Sequence, residues 1–328
     1  MDLTLVTGAN GFVGSHLVSA LLNEGARVRC LVRRTSDLRW IRELPVELVT
    51  GELSDRPSLL HAVSGVQRIY HLGGVTRAGS RESYFRANAG GTENLLSAAL
   101  EAAPGIAKFV YISSLAAAGP SRTGDPVRED MEPNPLSWYG MSKLEAEKIC
   151  LSYSDRLPVS ILRPPPVYGP RDTDFLMYFR MISRRISPAL GWRARYASLV
   201  YVDDLVQACL IAGRHPDSRG RIFFVISDEC VSYAELAAAV AGAMGRKVFT
   251  VHVPMAALSI AAAFQEAVSR VTRQTSLLNF QKVREFRERR WVCSGESIRK
   301  VIGFEPGFSS LAGIPLTVEW YRREGWMG

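Results

Sequence analysis

The segment VTGANGFVGSHL, residues 6–17, joins a β-branched run to a glycine-rich turn and then to a stretch with helical spacing. Gly8 permits a tight turn, Gly11 lets the backbone approach an anion closely, and Gly14 lets the following helix pack against a sheet. Free N–H groups and the helix dipole at the first turn favour a phosphate there. The spacing is GxxGxxG rather than GxGxxG, with Asn10 in the intervening slot. A glycine triplet alone is weak; directly after an N-terminal strand it marks a dinucleotide pyrophosphate loop. Gly8, Asn10, Gly11, Phe12, Val13 and Gly14 form its candidate cofactor-binding set.

Outward from that turn, strand-like and helix-like segments alternate. LTLVT (3–7), RVRCLVR (27–33), VELVT (46–50), VQRIYHL (66–72) and KFVYISS (108–114) read as strands. FVGSHLVSALLNEG (12–25) and SYFRANAGGTENLLSAALEAA (83–103) read as helices. This alternation predicts an α/β fold, a Rossmann-type doubly wound parallel sheet whose strand C-termini share one ligand-binding edge. Beyond residue 165 the pattern loosens. RPPPVYGPRD (163–172) reads as a loop, with helical stretches near 174–187, 203–214, 232–244 and 255–290 and strands at 221–227 and 247–253. The expected division is a dinucleotide-binding domain over 1–165, with sheet contributions from about 195–230, and a smaller, mainly substrate-binding C-terminal lobe over 166–328.

Composition narrows the function classes. The chain has 328 residues, a formal net charge of +8, and five cysteines without metal-ligand spacing. No metal site or disulfide framework follows, and a reducing, cytoplasmic setting is expected. The opening MDLTLVTG reads as a strand rather than a signal peptide. The longest apolar segment, PMAALSIAAAF (254–264), is too short to span a bilayer, which leaves a core helix or a membrane-surface helix. Nucleic-acid binding is not expected. The only dense basic run, KVREFRERR (282–290), interleaves Glu285 and Glu288 as a solvated helical face would.

The dinucleotide is read at the end of the second strand. There LVRRTS (31–36) offers Arg33 and Arg34 and no carboxylate before Asp37. Two guanidiniums suit a 2′-phosphate, so NADP(H) is favoured and NAD(H) is the alternative.

Tyr139 and Lys143 lie four apart in WYGMSKLEAEKICLSY (138–153) and so share one helix face. Asn134 or Ser137 is the candidate cap. For Tyr139 to move protons near neutrality, its phenolate must be favoured, and a nearby ammonium and a positive nicotinamide both act in that direction. Ser113 and Ser114 bring hydroxyls to the end of the fifth strand.

With these residues, and with YHLGG (70–74), NAGGTENLL (88–96), RPPPVYGPRD and YVDDLVQA (201–208), nearly the whole chain resembles the extended short-chain dehydrogenase/reductase family. That family includes the NAD(P)-dependent epimerase/dehydratase group. The resemblance implies that Ser114 orients the reacting oxygen, Tyr139 moves its proton, and Lys143 binds the nicotinamide ribose and tunes Tyr139. It assigns Asn88 to the active site, Glu52 and Leu53 to the adenine, Leu72 and Gly73 to the loop along the cofactor, and Pro164 to the segment passing the nicotinamide. His71 reads as structural.

Nucleotide-sugar enzymes of this family carry an asparagine and an arginine where Pro166 and Ala197 stand here, though Arg193 or Arg195 offers a substitute. The sequence looks more like the 3β-hydroxysteroid dehydrogenase and dihydroflavonol reductase branches. The leading expectation is an NADP-dependent oxidoreductase interconverting a ketone or aldehyde and a secondary alcohol on a largely apolar small molecule. Segment 254–264 and the aromatics Trp138, Phe175, Tyr178 and Phe179 are pocket candidates, with core the alternative. An epimerase/dehydratase is the second reading and a non-catalytic dinucleotide sensor the third. By resemblance, the stretches 83–103 and 138–156 would form a homodimer.

Overall fold

The computed structural model describes residues 2–228, 230–272 and 279–327. Three strands, β1 (Leu3–Thr7), β5 (Lys108–Ile112) and β6 (Val159–Arg163), are buried at every position, as strands covered on both faces must be. They belong to a seven-stranded parallel sheet with β2 (Arg27–Val32), β3 (Glu47–Thr50), β4 (Arg68–His71) and a late edge strand, β11 (Arg221–Phe224). The order is β11-β6-β5-β4-β1-β2-β3, so connectivity reverses between β1 and β4, where a crevice opens at the strand ends.

Helices α1 (Phe12–Asn23), α8 (Val202–Ala212) and α12 (Glu296–Ile302) cover one face, through Leu17, Leu21, Leu205, Cys209 and Ile298. Helices α2 (Arg56–Val63), α4 (Gly91–Ala102) and α6 (Trp138–Ser152) cover the other, through Leu59, Leu95, Leu96, Ala146 and Cys150. Local chemistry sets their ends. After α1, Gly25 adopts φ 77° while Gly25 and Ala26 donate to the carbonyls of Leu22 and Leu21, a Schellman closure. At α6 the cap is Ser137, whose hydroxyl accepts from the Gly140 N–H at 3.2 Å.

The second half adds a smaller apolar cluster. Phe179 of α7 (Asp174–Ser183), Leu236 and Val240 of α9 (Tyr233–Ala243), and Val318 and Tyr321 of α13 (Ile314–Arg323) meet there. Short strands stitch it to the sheet: β7 (Val167–Tyr168) pairs with β10 (Val200–Tyr201), and β9 (Tyr196–Ala197) lies between β12 (Val231–Ser232) and β14 (Arg290–Trp291). A parallel ribbon, β8 (Ile186–Leu190) with β13 (Phe249–Val253), stands apart from these.

Four expectations change. The helix expected over 174–187 stops at Ser183, because Arg185 turns left-handed at φ 66° and starts β8. The stretch 255–290 is α10 (Met255–Thr272) and α11 (Phe280–Arg287), closing on β14; residues 273–278 lie outside the described residues. The expected loop 163–172 contains β7, held by its partner rather than by its own propensity. The helix expected over 83–103 comprises α3 (Arg81–Phe85), a π-helical turn over Arg86–Gly90, and α4.

Candidate active site

The carboxyl end of β1 runs into the glycine turn. Gly8 sits at φ 71°, and a Cβ there would lie 2.8 Å from the Leu72 carbonyl carbon. A Cβ on Gly14 would lie 2.1 Å from the Gly8 carbonyl oxygen, so any side chain would push α1 off the turn. Gly11 caps α1 with no side chain over its first N–H groups, and the first turn holds no acid. Asn10 Nδ2 reaches across to the Asp37 carbonyl at 3.2 Å, while Phe12 and Val13 begin the helix and pack on the C-terminal cluster. An uncovered, acid-free helix start fits a pyrophosphate.

The other expected cofactor residues surround the same crevice. Leu72 and Gly73 follow β4, where the Gly73 N–H donates to Thr7 Oγ1 at 3.0 Å. Glu52 is exposed just past β3. Leu53 packs beside Gly91 and accepts from Asn94 Nδ2 through its carbonyl at 2.8 Å. Arg33 and Arg34 are exposed directly after β2. Pro164 is buried after β6, and its carbonyl accepts from the Leu115 N–H at 2.8 Å. These groups fit a dinucleotide lying along the strand ends.

Ser114 lies two residues past β5 and caps the short α5 (Leu115–Ala118), accepting from the Ala116 N–H at 3.1 Å. Tyr139, half-buried in the first turn of α6, packs its ring 6.3 Å from that of Tyr84. Burial pushes the phenol up to about 12, opposed by a hydrogen bond with Ser114. Lys143 donates to the Ile112 carbonyl at 2.6 Å and lies 4.3 Å from the centre of the Tyr111 ring. Its own burial lowers it to about 8, against the attraction of Glu147. Desolvation is the largest influence on the Tyr139 phenol here, and the Lys143 ammonium donates to backbone.

Asn88 lies in the π-helical turn. Its Oδ1 accepts from the Val75 N–H at 2.8 Å, and its Nδ2 donates to the Val75 carbonyl and to Ser142 Oγ at 3.0 and 2.9 Å. It thus ties the loop after β4 to α6, and the wider turn aims its side chain inward. His71 is fully buried, with Nδ1 2.7 Å from Thr7 Oγ1 and Nε2 2.9 Å from Thr92 Oγ1. Thr92 donates onward to the Asn88 carbonyl at 2.6 Å, which orients the imidazole as a donor through Nε2.

Sequence reasoning missed the layer beneath. Ser113 points away from Ser114 and donates to Glu147, which also holds Arg163 through two contacts. Glu147 follows Lys143 by one helical turn on the same buried face, so its spacing was the available signal. Of the pocket candidates, Phe179 is core, Phe175 and Tyr178 pack against that core, and Ile260 and Phe264 of segment 254–264 face outward. Arg195 makes contacts to the carbonyls of Leu190, Phe286 and Glu288 at 2.7, 2.6 and 2.8 Å, and Ala197 is buried in β9.

Comparison with known proteins agrees with this architecture. Residues 4–226 match the model of the NAD dependent epimerase/dehydratase family. A ceramide reductase of Caulobacter vibrioides is 31% identical over 98% of this chain and 95% of its own. A 3 beta-hydroxysteroid dehydrogenase/Delta 5-->4-isomerase of Mycobacterium tuberculosis is 30% identical over 74% of this chain and 70% of its own. The solved structure of MoeE5 with UDP-glucuronic acid and NAD superposes with a TM-score of 0.78, at 25% identity, covering 99% of this chain and 100% of that one. The chain thus belongs to the NAD dependent epimerase/dehydratase family, among the extended short-chain dehydrogenase/reductases.

Proposed function

We propose that this protein is an NADP-dependent oxidoreductase interconverting a ketone and a secondary alcohol on a largely apolar substrate, with Ser114, Tyr139 and Lys143 as its catalytic residues. The observation that carries this reading is Tyr139, half-buried on α6 one helical turn before Lys143, with Ser114 acting on its phenol. A phenol placed there can give a proton to a carbonyl oxygen in reduction and take one from an alcohol in oxidation. A nicotinamide dinucleotide held along the strand ends would supply the hydride. Tyr139 gives its proton to the carbonyl oxygen, Ser114 holds that oxygen, and solvent returns a proton to Tyr139. Lys143 is the ammonium one turn away, and Asn88 keeps α6 in register with the β4 loop.

The apolar substrate class rests on what is missing for a diphosphate. Pro166 and Ala197 offer no side-chain donor, and the nearby Arg195 guanidinium is engaged by three backbone carbonyls. Ceramide and hydroxysteroid are the substrate words in the names of a reductase and a dehydrogenase relative, and both suit such a site. NADP over NAD rests on Arg33 and Arg34, exposed at the end of β2 without a carboxylate between them and Asp37.

The test is turnover. Apolar ketones and nucleotide sugars are offered with NADPH and NADH, and cofactor absorbance is followed. Ketone reduction with NADPH is expected, with loss of about a thousandfold or more in Tyr139→Phe and little change in NADPH affinity. Turnover of nucleotide sugars alone, or an undiminished Tyr139→Phe enzyme, overturns it.

A further inference from the structure

Segment 254–264, left between a core helix and a surface helix by its sequence, belongs to an exposed apolar face. In the β8–β13 ribbon, register pairs Phe249 with Ile186, Val251 with Pro188 and Val253 with Leu190. Paired residues of parallel strands share a face, so one side of the ribbon is apolar throughout. It is also uncovered: Phe249 is 71% exposed and Val251 46%. Past Pro254 the chain enters α10. There the exposed residues Ala257, Ile260, Ala261 and Phe264 recur at three- and four-residue spacing, with Ile260 72% and Phe264 70% exposed.

The charge around this face has one sign. Arg184 and Arg185 lead into β8, Arg246 and Lys247 lead into β13, and the Phe249 N–H donates to the Arg185 carbonyl at 2.9 Å. Four exposed cations therefore gather at one end of the ribbon. Residues 184–196 and 246–265 contain no aspartate or glutamate. Among the described residues, none of these four cations forms an ion pair.

We propose that this face docks the protein onto the surface of an anionic phospholipid bilayer. Apolar side chains enter the boundary between headgroups and acyl chains while the cations meet lipid phosphates. Among the described residues no helix is long and apolar enough to cross a membrane, so the contact is interfacial. A second copy is a poor occupant, because joining two such faces through the ribbon brings their four-cation clusters together. Hydrogen bonds also connect α10, through α11, to the start of α6. Glu266 of α10 accepts from the Phe280 N–H of α11 at 2.9 Å, and Gln281 accepts from the Trp138 N–H, beside Tyr139, at 2.6 Å. The proposal deepens the oxidoreductase reading in one respect: a docked site receives apolar ketones directly from the bilayer.

The test is co-sedimentation of the full chain with phosphatidylcholine vesicles and with phosphatidylcholine–phosphatidylglycerol vesicles. Binding to the anionic vesicles is expected to be at least about tenfold tighter. Replacing Arg184, Arg185, Arg246 and Lys247 by Gln should abolish that preference. The Phe249→Ser/Ile260→Ser/Phe264→Ser variant should lose the binding that persists at high salt. Both variants should reduce a water-soluble ketone at the parent rate without vesicles, which shows that they fold. A parent indifferent to anionic vesicles, or variants that bind as it does, overturns the docking. So does a parent oligomer that ignores vesicles and dissociates in the serine variant, which marks a face between copies. Vesicle binding with an undiminished Tyr139→Phe enzyme leaves the docking standing and removes the redox reading.

Discussion

Arg163 and Glu147 meet as a bidentate pair, Nε to Oε1 at 2.9 Å and Nη2 to Oε2 at 2.6 Å, almost wholly buried beneath Lys143. The pair fastens the last residue of β6 to the middle of α6, and Ser113 adds a third strand-end contact. It therefore fixes the height of the helix bearing Tyr139 against the strands bearing Ser114 and Pro164. Glu147→Gln leaves a buried guanidinium without its counter-charge and should cost about 3–5 kcal/mol in urea unfolding. Glu147→Leu/Arg163→Met removes both charges and should recover most of that loss. A double variant as unstable as the sum of its singles would show that the pair is not coupled.

Lys143 gives the site an alkaline limit. Burial lowers its ammonium from the ordinary 10.5 to about 8, so the charged form is lost as pH rises through 8. Ketone reduction should fall on that side, while Tyr139, at about 12, adds no limb near neutrality. The stability sign is opposite. Between about 8 and 10.5 the unfolded chain binds the extra proton, so this residue's contribution to folding becomes more favourable as pH rises. Initial-rate profiles check the first point; the slow enzyme expected from Lys143→Met should lack the limb.

Arg33 and Arg34 should read the cofactor rather than the fold. Arg33→Ala/Arg34→Ala is expected to weaken NADPH binding by about ten- to a hundredfold and to leave NADH binding nearly unchanged. Titration calorimetry with both cofactors measures the ratio. Equal losses for the two would remove the 2′-phosphate argument.

His71 should make the protein acid-sensitive. Burial and the Lys143 charge hold its imidazole down to about 3, so it stays neutral in the folded chain where the unfolded chain takes up a proton. Stability from this residue is complete above about pH 6.5 and is lost as pH falls toward 3, at up to about 1.4 kcal/mol per pH unit. His71→Asn should be less stable at pH 7, because Thr7 and Thr92 lose their shared partner, yet show a shallower decline with acid. Urea midpoints across that pH range decide between these outcomes.

Local information was sufficient wherever one segment meets a demand by itself. Gly8 and Gly14 had to be glycine for the β1–α1 turn, buried β-branched runs had to be strands, and four-residue spacing had to set Tyr139 and Lys143 on one face of α6. Segments that exist only through a partner were not legible in this way. Strand β7 is two residues long, β8 follows a left-handed Arg185, and α10 and α11 interrupt a stretch that reads as one long helix.

The amino-acid sequence by itself determined the parallel sheet, the phosphate-binding turn and the family, because each depends on spacing along one chain. Tertiary structure alone decided that burial raises the Tyr139 phenol, that Lys143 donates to Ile112, that Arg195 is taken by three carbonyls, and that Ile260 and Phe264 face outward. Desolvation and partner choice are set by what neighbouring elements place around a group, and spacing along the chain does not encode those surroundings.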